Sequence, residues 1–150
     1  MFLLLVSLWL SLVATVDAGT PGENQIRAGV CAGFFADCAL IAPQVEYANK
    51  RFVVGANSSL FVSNVYGKFY INNHPRYKVS IGGHYGLGLM PDEGGGNSAD
   101  LSGVVVSTDI LLKRFSLRLS VGHLLFNGGY LVDLGEATFS ASAMYNFRLP

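Results

Sequence analysis

From Tyr77 to Leu89 apolar and polar positions alternate with a period of two. Tyr77, Val79, Ile81, Tyr85, Leu87 and Leu89 share one face, and Lys78, Ser80, Gly82, His84, Gly86 and Gly88 share the other. Successive side chains of an extended chain point to opposite sides, so this pattern predicts a β-strand with two unlike faces. Arg114–Leu125 repeats it, with Phe115, Leu117, Leu119 and Val121 opposite Ser116, Arg118, Ser120 and Gly122. Glu136–Leu149 repeats it again, its even positions carrying Glu136, Thr138, Ser140, Ser142, Asn146 and Arg148. Weaker alternation runs through Ile26–Phe35, Cys38–Ala48, Arg51–Phe61, Asn64–Asn72 and Leu101–Leu112. The chain therefore reads as eight strands, with no helical period after the first eighteen residues.

The links between these segments alternate in length. Those at Asn49–Lys50, Ile71–Pro75 and Lys113 are short, whereas Met90–Asp100 and Phe126–Gly135 are long and rich in Gly, Asn and Asp. Short turns on one side and longer loops on the other, with an even strand number, are the layout of outer-membrane barrels. The expected fold is all-β, an eight-stranded antiparallel up-and-down transmembrane β-barrel with both ends of the chain on the short-turn side. Pro43 removes a ladder donor within the second strand, and a bulge or register break is expected there.

Composition decides which face is inside. Hydrophobic residues make up 51% of the chain and charged residues only 13%. A water-soluble barrel needs charges on its exterior. Here the polar face carries few charges and many Gly and Ser, which suits a narrow polar lumen, while Leu, Val, Ile and Tyr suit lipid. Closure of the sheet also removes every edge, as a bilayer requires. The formal net charge is +0, and the Lys and Arg are scattered along the sequence, which gives no footprint for nucleic acid. Phe2–Val16 is almost unbroken apolar sequence followed by Val16-Asp17-Ala18, the pattern of a secretory signal peptide with its cleavage site. The expected organisation is a cleaved signal over residues 1–18 and a single barrel over residues 19–150, located in the bacterial outer membrane.

Cys31 and Cys38 both have lumen parity, and a secreted chain meets an oxidising compartment. A tight turn near Phe34-Phe35 would make them cross-strand neighbours able to bridge. A turn centred on Ala36-Asp37 would separate them along the ladder.

The candidate chemistry lies around one histidine. His123 shares the lipid-facing parity of Leu119 and Val121 and stands near the outer end of its strand, in the run Gly122-His123-Leu124-Leu125-Phe126-Asn127-Gly128-Gly129. An imidazole facing lipid needs a polar partner. This run resembles the motif of the outer-membrane lipid A deacylases, His-x-Ser-Asn followed by Gly-Gly near the end of strand seven, with an acid further on in strand eight. The resemblance implies His123 as the base, Glu136 as the acid that orients it, and Asn127, after one extra residue, as an oxyanion donor. It also implies lipid A in the outer leaflet as the partner. The nucleophile position holds Leu125, and a hydroxyl to replace it would have to come from Ser116, Ser120 or the strand-eight serines. Without that hydroxyl the covalent route is lost. Two readings follow. One is a lipid A ester hydrolase, catalytically degenerate; the other is a non-catalytic barrel for adhesion or envelope integrity. No metal or cofactor is implied, since His84 has no second ligand in view and Gly83–Gly88 precedes no helix.

Overall fold

The structure is a computed structural model that describes residues 24–34, 36–38, 40–72, 74–90, 97–128 and 137–148. The expected signal peptide, residues 1–18, lies outside them. Eight strands follow in order: β1 (Gln25–Phe34), β2 (Leu40–Ala48), β3 (Phe52–Ser58), β4 (Val62–Tyr70), β5 (Tyr77–Met90), β6 (Asn97–Leu111), β7 (Phe115–Gly128) and β8 (Ala137–Arg148). Each pairs antiparallel with the next, and β8 returns to β1 to close the barrel. The start of β1 and the end of β8 stand at one end with the turns 49–51, 71–76 and 112–114, here called the turn end. β1, β3, β5 and β7 end, and β2, β4, β6 and β8 begin, at the opposite end, here called the loop end.

Several boundaries differ from the sequence reading: β3 ends at Ser58 and β4 begins at Val62, where strands to Phe61 and from Asn64 were expected. Met90 pairs with Asn97, so the β5–β6 ladder extends well into the stretch read as a loop, and β7 runs on to Gly128. Asn97–Asp100 has a loop-like composition, but an antiparallel neighbour already in register satisfies its backbone groups whatever its side chains are. At Pro43 the β1–β2 register continues unbroken, Val30 opposite Pro43, and the effect falls on the other side: the ladder between β2 and β3 stops at Gln44 opposite Asn57. Proline removes a donor on one side only, which leaves the pairing on the other intact.

Burial alternates along every strand. Inward positions include Arg27, Glu46, Lys68, Asp109 and Arg118, all buried. Outward positions are apolar, with Ile41 77% exposed, Phe69 67% and Leu119 64%. A charged interior inside an apolar exterior reverses the arrangement of a water-soluble barrel. The interior is tightly filled. Gly55 stands opposite Tyr66 across the β3–β4 ladder, and a Cβ at Gly55 would run into the Tyr66 ring and within 2.8 Å of Glu46 Cβ. Only glycine leaves the room in which that ring reaches across to β2.

Candidate functional site

His123 stands where the β7–β8 ladder begins at the loop end. It pairs with Val104 on one side and with Ala137, the first residue of β8, on the other. Its side chain is exposed and shares the outward face with Val121, 65% exposed, and Leu125, 67% exposed. Just beyond it the β6–β7 register shifts: Gly103 pairs with Leu124 and Ser102 with Phe126, so Leu125 is one extra residue in β7. Asn127 then pairs through its backbone with Leu101. Glu136 lies outside the described residues.

The structure thus brings His123 and Leu125 to one outward face. It supplies no hydroxyl there from the serines the sequence offered. Ser116, Ser120, Ser140 and Ser142 are all buried and point inward. Ser120 and Ser140 are committed to Asp37, and Ser116 donates to Asn146. An apolar groove of about 470 Å³ does lie on the exterior, flanked by Val45, Val65, Tyr85 and Leu87. It belongs to the β2–β5 wall, away from His123.

The dense chemistry is inside. Glu46 of β2 and Asp109 of β6 are bridged by two arginines from β1 and β7, the two strands that flank β8. Arg118 of β7 reaches Glu46 at 2.6 and 3.0 Å and Asp109 at 2.6 and 2.9 Å, using Nε and both Nη atoms. Arg27 of β1 reaches Glu46 at 3.1 Å and Asp109 at 2.9 Å. Tyr66 donates to Glu46 at 2.7 Å and Tyr70 to Asp109 at 2.9 Å. Each carboxylate therefore meets two guanidinium groups and a phenol, the saturation a buried charge requires. Planar arginine forks suit this role because they can hold two oxygens at once.

A second layer comes from the β1–β2 connection. Ala36, Asp37 and Cys38 are buried at 0%, 2% and 0% exposure, so this segment turns into the barrel instead of out from it. The Asp37 carboxylate ion-pairs with Lys68 and accepts hydrogen bonds from Ser140 and, at 3.0 Å, from Ser120. Lys68 also donates to Ser107 at 3.0 Å. The backbone oxygen of Asp37 accepts from Asn57 at 2.6 Å. A disulfide joins Cys38 to Cys31 on the inner face of β1, with Cα atoms 6.0 Å apart. The turn is centred near Ala36-Asp37, and the ladder places Cys31 opposite Ala42. The two cysteines are not cross-strand neighbours; they meet because the connection folds inward. The chain regains the wall at Leu40, whose φ of 60° is left-handed.

The sequence reading did not anticipate this interior. It placed Arg118 on the polar face of its strand and read a sparse lumen of Gly and Ser. Five charged residues on the inward parity of five different strands was the available signal, because in a closed barrel they can only meet one another. Among the described residues no cluster of His, Cys, Asp and Glu could hold a metal.

No family model matches the chain, and no curated protein matches it. Among solved structures it is similar to the N-terminal β-barrel domain of OprF from Pseudomonas aeruginosa. The TM-score is 0.51 at 13% identity, over 84% of this chain and 99% of that one. At that identity the likeness is one of fold.

Proposed function

We propose that the chain is a non-catalytic barrel of the bacterial outer membrane, sealed to solutes, that serves envelope integrity or adhesion through its loop end. The observation that carries this reading is the pairing of an apolar exterior with an interior closed by Arg27, Glu46, Asp109 and Arg118. Such an exterior is stable against acyl chains and costly against water. Such an interior, its charges paired across the lumen, supports a sealed barrel. The fold shared with the OprF barrel domain supports the outer-membrane setting.

The test is refolding of the urea-unfolded chain into phosphatidylcholine vesicles. Protease-resistant strands in floated vesicles, with no conductance across a planar bilayer, are expected. A monomer that stays folded in buffer without lipid or detergent would overturn the reading.

Ester hydrolysis of lipid A at His123 is the second reading. It is favoured by the outward place of His123 at the loop end, on one face with Leu125. Leu125 in the nucleophile position and the inward direction of the neighbouring serines weigh against turnover. On this reading the site is a catalytically silent relic.

A further inference from the structure

The Lys and Arg that look scattered along the sequence are gathered by the fold. Each of the three turns at the turn end carries basic residues: Lys50 and Arg51, Arg76, and Lys113 and Arg114, every one exposed. No acid stands among the described residues of these turns. At the loop end the sequence is the reverse. The connections there contain Asp37, Asp92, Glu93, Asp133 and Glu136 and no Lys or Arg.

The three turn–strand junctions also share one local order, arginine followed by an aromatic residue that opens the next strand: Arg51-Phe52, Arg76-Tyr77 and Arg114-Phe115. These aromatics belong to an outward band at the same end. Phe52 lies 5.9 Å from Tyr47, Tyr77 stacks on His74 at 4.0 Å, and Phe115 meets Tyr145 edge-on at 5.2 Å. Aromatic girdles mark the level where acyl chains give way to headgroups. A cation placed one residue beyond the girdle, toward the turn, stands at phosphate depth. Side chains of this length keep their stems on the apolar wall and their charge among the headgroups.

We propose that the turn end is a ring-shaped contact for anionic phospholipid headgroups, made by Lys50, Arg51, Arg76, Lys113 and Arg114 beneath an aromatic girdle. The inference rests on the membrane-barrel reading and specifies its lipid partner. Short turns face the periplasm in outer-membrane barrels, so the headgroups are those of the inner leaflet. Basic residues at an anionic surface each add affinity that salt screens.

The experiment compares urea unfolding of the full barrel in phosphatidylcholine vesicles and in vesicles that also contain phosphatidylglycerol. The native chain is expected to unfold at higher urea with phosphatidylglycerol, and high salt should remove the difference. Replacing Lys50, Arg51, Lys113 and Arg114 together by Gln should reduce the difference to the share of Arg76 while leaving the midpoint in phosphatidylcholine unchanged, a loss of about fivefold in lipid preference per charge removed. Equal midpoints of the native chain in both lipids would overturn the ring and leave the membrane reading standing. Failure to fold into either vesicle would overturn both. The salt comparison uses the native chain alone, so it decides the matter even should the four-residue variant not fold.

Discussion

Asp37 and Lys68 are ion-paired inside the barrel, although Asp37 belongs to the β1–β2 connection at the loop end and Lys68 to the turn-end half of β4. The pair ties a loop to the wall from within. Among the described residues the interior holds four buried cations, Arg27, Lys68, Lys78 and Arg118, against three buried carboxylates, Asp37, Glu46 and Asp109. Lys78 makes no hydrogen bond through its Nζ and lies 4.4 Å above the Tyr70 ring. Carboxylates are the scarcer partner, so losing one leaves a cation stranded.

Asp37→Ala is therefore expected to destabilise the barrel by about 3 kcal/mol, the usual cost of breaking a buried pair by removing one member. Asp37→Ala combined with Lys68→Met should recover a large part, since the stranded charge goes too. Urea midpoints in phospholipid vesicles measure both, and a single variant as stable as the native chain would show that Asp37 closes nothing.

Removal of the disulfide, as Cys31→Ser with Cys38→Ser, is expected to cost about 2 kcal/mol, because the loop it closes is short. Both sulfurs are buried. A thiol reductant applied to the folded barrel should therefore expose no alkylatable cysteine, whereas urea and reductant together should expose both. Alkylation counted by mass spectrometry checks this, and rapid labelling of the folded protein would contradict the buried placement.

On the outer face, Leu119→Arg is expected to cost about 2–4 kcal/mol in lipid, the penalty for a cation near mid-bilayer on a barrel exterior. The same change on the surface of a water-soluble barrel would be close to neutral. Refolding yield and unfolding midpoint in phosphatidylcholine vesicles distinguish the two.

At the rim, His123→Ala should leave stability within about 0.5 kcal/mol, as for an exposed side chain away from the ion network. Cells with and without the native chain should yield lipid A of the same mass. A lighter lipid A that disappears with His123→Ala would establish the hydrolase reading and show that a nucleophile other than the inward serines serves it.

The strand count, the order of turns and loops and the direction of each face were legible in the sequence, because period-two alternation is a local property. The interior was not, because Arg118 and Glu46 are 72 residues apart and nothing local to either names the other. The cysteines show the same limit from another side. Parity and turn position gave two outcomes for Cys31 and Cys38, and the barrel took neither route, since residues 36–38 leave the ladder and enter the lumen. At His123 the outward direction was readable. The inward commitment of Ser120 and Ser140 was not, because it depends on Asp37 arriving from another connection.

β1 pairs with β8 along Gln25–Phe34, so the first strand made waits for the last. Until β8 arrives, the growing sheet is a ribbon with two bare edges, each a template for another copy of the same chain. This contact spans nearly the whole sequence, so it is also the slowest to find. Loss of β8 would thus turn a ring that limits itself to one molecule into an open strip that recruits its neighbours.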